Sequence, residues 1–281
     1  MTADSPGRAQ VTVARLRELG LTPDTRLGQH FLVDDNLVRV ALRLADLRPD
    51  DVVLEVGPGL GVLTVALADA VALVHAVEID RRLAPALQRT LEHHANVRLL
   101  WADAMSLDGR SLDPAPTAFV SNLPYQVSTP LIVESLAGLP HVDRWAVMVQ
   151  REAAERLFAR EGTPAYGAVS VLMRLACERT GAHGVSRAVF APPPNVDSTL
   201  IGFRRRDDWG ALEDRWPAVA RVVHGAFSHR RKTLLNALLL SGVASRAAVE
   251  AALEGLDLPL GVRAEALPPA RFPALAERLA G

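Results

Sequence analysis

The sequence has a single cysteine, Cys177, so it cannot form an internal disulfide bond. It also has no apolar run of about 20 residues, which is the length that a membrane-spanning helix requires. Its first residues, MTADSPGRAQ, lack the charged and then apolar plan of a secretory signal peptide. These absences lead us to expect a cytoplasmic protein in a reducing compartment, without a membrane partner.

An excess of one charge is absent as well. The 31 lysines and arginines are balanced by 32 acidic residues, so the chain as a whole does not attract nucleic acid. Any RNA site must therefore be a local basic patch. Two triplets in the second half are candidates, although such runs are more often solvated surface. They are Arg204, Arg205 and Arg206, and Arg230, Arg231 and Lys232.

Metal-ligand spacing is also missing. His93, His94 and His224 lie in segments of helical character and do not show the spacing of a metal site. We therefore expect no metal, and we also expect a monomer.

Short β-rich runs alternate with helical segments from residue 51 onward. DVVLEV, LVHAVEI, VRLLWA, AFVS and WAVMVQ are apolar enough for buried strands, and helical segments such as LGVLTVALADA and REAAERLFAR follow several of them. Apolar strands that alternate with helices are typical of a parallel sheet covered on both faces. The sequence therefore predicts a doubly wound α/β domain.

Two helices are predicted before this alternation. They lie in VTVARLRELG at residues 11–20 and in DDNLVRVALRLADL at residues 34–47, and RLGQHFL joins them. Asp34 or Asp35 is the expected cap of the second helix.

The second half adds two extended stretches, expected around residues 170–186 and 198–205, and a helical tail after Asp207. FAPPPNVDS separates the two stretches, and its three prolines exclude a central strand. The chain length allows one large domain and a small one. We expect an N-terminal helical segment with the GQHFL loop at residues 1–50, the α/β domain at 51–206 and a small helical domain at 207–281.

A glycine-rich turn, EVGPGLG, follows the first predicted strand. Gly57, Gly59 and Gly61 remove side chains where a ligand must approach the backbone. The spacing is GxGxG and not the GxGxxG of pyrophosphate sites, and glycines also occur where a helix simply packs on a strand. The turn alone is therefore weak support for a binding site.

Acidic residues end the next two predicted strands. Glu78 in HAVEID can accept two hydrogen bonds from ribose hydroxyls, and Asp103 in WADAM can accept one from an adenine amino group. Both could instead be surface charges or helix caps. Because the glycine turn and both acids fall at successive strand ends, we favour a nucleoside-containing cofactor.

SNLPY ends the fourth strand and should open into the same crevice. The Asn122 side-chain oxygen and the backbone carbonyl near Leu123 could accept hydrogen bonds from an adenine amine. Pro124 stiffens the turn and removes a competing donor, and Tyr125 can stack on the base. The order of these residues suits an adenine amine held for attack.

GQHFL, EVGPGLG, VEID, DAM, NLPY, VFAPPPNVDS and RRKTLLNAL together resemble the bacterial ribosomal RNA adenine dimethyltransferases, which use S-adenosylmethionine. The resemblance is strong from about residue 30 to residue 240. It implies a Rossmann-like class I methyltransferase domain with a small C-terminal helical RNA-binding domain. It also implies dimethylation of two adjacent adenosines in a 16S rRNA hairpin loop, within the small ribosomal subunit or its precursor.

The resemblance further implies site residues. Those for the cofactor are Gln29, His30, Leu32, Gly57, Gly59, Glu78, Ile79, Asp103, Ala104 and Asn122. Those for the target base are Asn122, Leu123, Tyr125 and Phe190, the last of which could instead be a core residue. Many relatives carry Asn at the position of His30, and an imidazole there can still donate a hydrogen bond to the methionine carboxylate.

Two alternatives remain open. The related 23S rRNA methyltransferases that confer antibiotic resistance share most of these motifs, although RRKTLLNAL and the helical tail favour the 16S enzyme. A non-catalytic RNA-binding factor, for ribosome assembly or transcription, could also use the same fold. The intact glycines, Glu78, Asp103 and NLPY argue against lost catalysis.

Overall fold

The computed structural model describes residues 16, 18, 20–24 and 28–280 of the protein. Most of the helix expected at residues 11–20 lies outside the described residues, as do the first two residues of RLGQHFL. None of the described helices is long and apolar enough to cross a membrane.

A seven-stranded sheet and a two-stranded ribbon contain all the strands of the described residues. The strands are β1 (Phe31–Leu32), β2 (Val52–Val56), β3 (Leu73–Glu78), β4 (Val97–Trp101), β5 (Ala118–Asn122), β6 (Arg144–Gln150), β7 (Cys177–Val185), β8 (Phe190–Ala191) and β9 (Ser198–Arg205). The order in the large sheet is β4-β3-β2-β5-β6-β9-β7, and β1 pairs with β8. Strands β2 to β6 are parallel and β9 is antiparallel to β6. The predicted α/β class with a mainly parallel sheet is confirmed.

Helices connect most of these strands and continue beyond the last one. From residue 28 onward the structure describes the α-helices α1 (Asp35–Ala45), α2 (Val62–Ala68), α3 (Ala84–Leu91), α4 (Ser128–Gly138), α5 (Arg151–Leu157), α6 (Ala168–Ala176), α7 (Gly210–Glu213), α8 (Trp216–Phe227), α9 (Leu234–Leu240), α10 (Arg246–Glu254) and α11 (Arg271–Ala280). The predicted cap of α1 is Asp34, whose carboxylate accepts hydrogen bonds from the amides of Asn36 and Leu37.

The core of the sheet fixes the position of the strand ends. Val53, Val74, Val120 and Ala146 on β2, β3, β5 and β6 are completely buried, and they cluster with Leu67 of α2. Continuous apolar strands of this kind suit a parallel sheet covered on both faces. Because such a core is closely packed, loops at the ends of these strands start from a rigid base.

A buried ion pair lies at the amino ends of the central strands, opposite the ends that carry these loops. Both nitrogens at the tip of Arg144 bond to the Asp51 carboxylate, at 3.0 and 2.6 Å, and one of them also donates to the Asp46 carbonyl. Thr117 donates to the same carboxylate at 2.7 Å. The starts of β2, β5 and β6 are thereby tied together.

The chain forms two compact units. One runs to Ala154 and resumes over Arg179–Arg204, and the other comprises Glu155–Glu178 and the residues from Arg205 onward. The helical unit thus includes a segment that the expected division at residue 206 leaves in the α/β domain. Its aromatic core contains Tyr166, whose hydroxyl donates to the Leu267 carbonyl at 2.7 Å.

The prediction of an extended stretch at residues 170–186 is wrong for its first half. Residues 168–176 form α6, and only Cys177–Val185 is a strand. Six of the nine residues of α6 are buried, and a short, largely apolar run of this kind cannot be told from a buried strand by its periodicity. The stretch expected at residues 198–205 is confirmed as β9.

Candidate active site

A cavity of about 220 Å³ lies at the carboxyl ends of β2, β3, β4 and β5, where the strand order reverses direction between β2 and β5. Open α/β sheets bind their ligands at such a switch point. The lining includes the glycine turn, the GQHFL loop and NLPY. Three motifs that are far apart in the sequence therefore meet at one edge of the sheet.

The glycine turn depends on the absence of a side chain at Gly59. This residue has a φ of +61°, and a Cβ atom there would lie 3.0 Å from Cδ1 of Phe31. Its amide donates a hydrogen bond to Oε2 of Glu78 at 3.3 Å. The turn after β2 therefore packs closely on the GQHFL loop and on the acid that ends β3.

Glu78 lines the cavity although only 6% of the residue is exposed. Its Oε1 accepts from the amide of Asp80 at 2.8 Å and its Oε2 from that of Gly59. Burial raises the pKa of the Glu78 carboxyl above its ordinary value and the nearby Asp80 charge adds to this, whereas the amide hydrogen bonds lower it. A fixed, partly desolvated carboxylate is well suited to accept hydrogen bonds from ribose hydroxyls.

The residues expected around an adenine lie on the neighbouring part of the cavity wall. Asp103 is exposed, and its Oδ1 accepts from the Met105 amide at 2.9 Å. Ala104 also lines the cavity, as does Ile79, which is 52% exposed and presents an apolar surface. The wall thus combines a carboxylate with flat apolar contact.

Asn122 is oriented by the GQHFL loop. Its Nδ2 donates to the backbone carbonyl of His30 at 3.2 Å, so its Oδ1 is left as the acceptor that the side chain can present. The Leu123 side chain is 1% exposed and its amide donates to the Met148 carbonyl at 3.2 Å, which fixes the turn that follows β5. The predicted acceptor pair therefore stands on a rigid support.

Tyr125 is held from two sides. Its ring stacks on the imidazole of His30, with centroids 5.7 Å apart and an angle of 28° between the planes. Its hydroxyl is 2.6 Å from the hydroxyl of Ser198, the first residue of β9. Burial raises the pKa of the Tyr125 phenol, while the Ser198 contact lowers it.

His30 lines the cavity, but one of its ring nitrogens is already used. Nδ1 lies 2.8 Å from the carbonyl oxygen of Pro192, which can only accept, so Nδ1 carries a hydrogen. In the neutral ring Nε2 is then an acceptor. The expected donation to a methionine carboxylate would require Nε2 of the protonated ring.

The other predicted residues of the GQHFL loop also reach the cavity. Leu32 lines it while contributing to the core at 8% exposure. Gln29 lines it too, but its carboxamide is bonded within the protein, with Nε2 donating to Oδ2 of Asp80 at 2.7 Å.

Phe190 is not brought to the site. It lies in β8 opposite Leu32, is 2% exposed and belongs to the core cluster of the sheet. It does not line the cavity. The expectation of a second aromatic face at Phe190 is therefore corrected in favour of the core alternative, because a buried strand position leaves the ring no access to a base.

The first basic triplet is engaged in local contacts. Arg204 is exposed at the end of β9. The Arg205 guanidinium lies 4.8 Å from the centroid of the Trp209 ring, and Arg206 forms an ion pair with Asp208 at 2.8 Å. The positive charge of this triplet is thereby partly compensated.

The second triplet lies in the turn before α9, which begins at Leu234 with Thr233 as its cap. Arg230 donates to the carbonyls of Pro164 and Tyr166, at 2.9 and 3.2 Å. Arg231 and Lys232 are exposed. The three residues therefore differ in role.

Sequence reasoning missed Glu55, Asp80 and Ser198. Glu55 opens the motif EVGPGLG and lines the cavity, yet it is only 1% exposed. Burial raises its pKa to about 8, and the charge of Glu78 adds to the effect. Its Oε2 has no hydrogen-bond partner among the residues that the structure describes. The position of Glu55 within a buried strand next to the glycines was the available signal.

These features fit S-adenosylmethionine. The glycine turn admits a ligand close to the backbone, the carboxylates of Glu78 and Asp103 offer acceptors for a nucleoside, and Oε2 of Glu55 has no partner among the described residues. Among the described residues no three His, Cys, Asp or Glu side chains are grouped as metal ligands.

Comparison with known proteins agrees with this geometry. A ribosomal RNA small subunit methyltransferase A of Thermobifida fusca is 44% identical over 284 residues, which cover 98% of this chain and 98% of that one. The corresponding protein of Rubrobacter xylanophilus is 44% identical over 257 residues, covering 92% of this chain and 95% of that one.

Solved structures show the same similarity. A dimethyladenosine transferase from Plasmodium falciparum superposes with a TM-score of 0.75 at 25% identity, covering 88% of this chain and 96% of that one. The 23S rRNA methyltransferase ErmE superposes with a TM-score of 0.65 at 31% identity, covering 89% and 100%. The fold is thus the Rossmann-like class I methyltransferase fold. The family described as ribosomal RNA adenine dimethylase matches residues 21–280, and the chain belongs to this family.

Proposed function

We propose that the protein transfers methyl groups from S-adenosylmethionine to the exocyclic amines of two adjacent adenosines in a 16S rRNA hairpin loop, forming dimethyladenosine during biogenesis of the small ribosomal subunit. The observation that carries this proposal is the orientation of Asn122, whose Nδ2 is bonded to His30 so that Oδ1 remains an acceptor beside the cofactor cavity. Relatives that are 44% identical bear the name of small-subunit methyltransferases.

The amine of adenine is a weak nucleophile because its lone pair is delocalised into the ring. Oδ1 of Asn122 and the carbonyl near Leu123 would accept hydrogen bonds from its N–H groups and favour a pyramidal nitrogen with a directed lone pair. S-Adenosylmethionine supplies the electrophilic methyl group. The protein's contribution is therefore orientation and hydrogen bonding, without a strong base.

Tyr125 would stack on the target base once it has left its own stack. A hairpin loop lowers the cost of that step relative to a paired helix. The His30 ring and the Ser198 hydroxyl hold Tyr125 in place beforehand. Pre-organisation of this kind reduces the ordering cost on binding.

The cofactor assignment follows the cavity wall. Glu78 would bind the ribose hydroxyls, Asp103 the adenine amine, and Ile79 and Ala104 would contact the adenine ring. The substrate would be 16S rRNA within a small subunit or its precursor, which implies a cytoplasmic reaction, and we propose that the protein acts as a monomer without a metal. The helical residues after 206 would contact the RNA.

Mass analysis of small-subunit RNA from cells with and without the gene tests this proposal. We expect two adjacent dimethyladenosines in the 16S RNA of cells that carry the gene and unmodified adenosines in its absence. Modification of 23S RNA in place of 16S RNA would support the alternative of a resistance methyltransferase. Unchanged RNA in both strains would support a non-catalytic assembly factor.

A further inference from the structure

Gln29 forms a clasp between the GQHFL loop and the loop that follows β3. Its Oε1 accepts from the amide of Asp24 at 2.8 Å, and its Nε2 donates to Oδ2 of Asp80 at 2.7 Å. The amide of Gln29 also donates to the Asp24 carbonyl at 3.3 Å. Both polar ends of the carboxamide are therefore committed to the protein itself, although the residue lines the cavity.

The Asp80 carboxylate that accepts the Gln29 hydrogen bond is also held by Arg82. Arg82 donates to it from Nε at 2.8 Å and from Nη2 at 2.7 Å, and the Arg82 amide donates to it as well, at 3.1 Å. The hydrogen bonds from Arg82 hold the pKa of Asp80 below its usual value, with Gln29 contributing in the same direction. Asp80 does not itself line the cavity.

The clasp continues directly to the carboxylate at the cavity. The backbone amide of Asp80 donates to Oε1 of Glu78 at 2.8 Å, so the position of Asp80 bears on the orientation of Glu78. An uninterrupted sequence of contacts thus runs from the GQHFL loop through Gln29 and Asp80 to Glu78. Gln29 and Glu78 are therefore linked through Asp80 without a direct contact between them.

We propose that Gln29 is a positioning residue that acts through Asp80 on the nucleoside end of the cofactor site, and is not a ligand of the methionine end. This inference rests on the proposed binding of S-adenosylmethionine. Hydrogen bonds between an amide and a carboxylate are among the stronger polar contacts in proteins. Loss of the clasp should loosen Glu78 and leave the groups around a methionine moiety in place.

Two ligands distinguish the two roles. S-Adenosylmethionine carries the methionine amino and carboxyl groups, and 5′-methylthioadenosine carries the same nucleoside without them. If Gln29 acts through Asp80 and Glu78, Gln29→Ala lowers the affinity for both ligands by the same factor, on the order of tenfold. A lower affinity for S-adenosylmethionine with unchanged affinity for 5′-methylthioadenosine would overturn the proposal, since it would place Gln29 at the methionine end.

Titration calorimetry with the full chain provides the measurement, and Gln88→Ala on the exposed face of α3 is the matched control, expected to bind both ligands as the wild type does. A double-mutant cycle adds a second criterion. In an Asp80→Ala background, Gln29→Ala should cause no further loss of affinity for either ligand. Full additivity of the two losses would contradict action through Asp80.

Arg82→Ala keeps the proposal testable if Gln29→Ala does not fold. The Arg82 side chain is half exposed, so its removal leaves the core intact while releasing Asp80. We expect a smaller decrease in affinity that is again equal for both ligands. A decrease confined to S-adenosylmethionine would count against the clasp. A wild-type protein that binds neither ligand would refute the proposed function, whereas normal binding by Gln29→Ala would refute the clasp alone.

Discussion

The imidazole of His30 and the phenol ring of Tyr125 stack with their centroids 5.7 Å apart. Each ring is anchored at its far side, His30 by the Pro192 carbonyl and Tyr125 by the Ser198 hydroxyl. Two segments that carry conspicuous motifs, GQHFL and NLPY, are thereby joined to VFAPPPNVDS. The proline-rich segment thus supports two residues of the cavity wall, although Phe190 does not line the cavity.

His30→Ala should lower turnover more than cofactor affinity. An aromatic contact of this kind contributes about 0.5 to 1.5 kcal/mol, so loss of the stack predicts a decrease of up to roughly tenfold in the single-turnover rate. The single-turnover rate of His30→Asn should lie between those of the wild type and His30→Ala. The Asn amide can still donate a hydrogen bond to the Pro192 carbonyl but cannot stack on Tyr125. A normal rate with weakened S-adenosylmethionine binding in His30→Ala would assign His30 to the methionine end instead.

Glu78→Ala should weaken S-adenosylmethionine binding. A hydrogen bond to a charged group contributes on the order of 1.5 to 3 kcal/mol, so the dissociation constant should rise roughly ten- to hundredfold. Titration calorimetry measures this change, and circular dichroism checks that the variant is folded. Affinity equal to the wild type would remove Glu78 from the site.

Glu55 makes the stability of the free protein depend on pH. Its folded-state pKa of about 8 lies above the ordinary value of 4.5, so the folded state binds this proton more tightly than the unfolded state. The resulting stabilisation is present below about pH 4.5 and is lost as the pH rises toward 8.

Glu55→Gln should therefore flatten the decline in the free energy of unfolding between pH 5 and pH 8. Urea unfolding at both pH values, without cofactor, measures the slope, and we expect the wild type to lose roughly a few kcal/mol that the variant keeps. Equal slopes for the two proteins would show that Glu55 ionises normally in the fold.

The second basic triplet offers a matched comparison of arginines. Arg231→Ala with Lys232→Ala should weaken RNA binding and reduce the slope of log affinity against log salt by about 0.7 to 0.9 per lost phosphate contact. Arg230→Ala should instead lower the melting temperature, because Arg230 holds the carbonyls of Pro164 and Tyr166. S-Adenosylmethionine binding should be unchanged in all of these variants. An unaltered salt slope in the double variant would exclude this turn from the RNA surface.

Much of the fold could be predicted because the strands are continuous apolar runs with polar residues at their ends. That pattern located Glu78, Asp103 and Asn122 at one edge of the sheet, where the structure also has them. The same pattern failed for α6, because a short and mostly buried apolar run cannot be told from a buried strand by its periodicity.

Side-chain direction and local pairing could not be read from the sequence. Phe190 lies in a proline-rich motif that contacts His30 and Tyr125 of the cavity wall, but its own ring belongs to the core. Gln29 and Asp80 are 51 positions apart, and no spacing rule relates them before the loops are folded together. Local carbonyls and carboxylates likewise determine which arginines remain available, and these neighbours become visible only in three dimensions.

In the proposed mechanism, Asn122 holds the target amine while the cofactor binds elsewhere in the cavity. Single-turnover methylation of small-subunit RNA, at saturating S-adenosylmethionine and RNA, separates chemistry from binding. We expect Asn122→Ala to transfer methyl groups at a rate at least about a hundredfold below the wild type, with a much smaller change in cofactor affinity. A wild-type rate in a folded Asn122→Ala protein would show that Asn122 does not hold the amine.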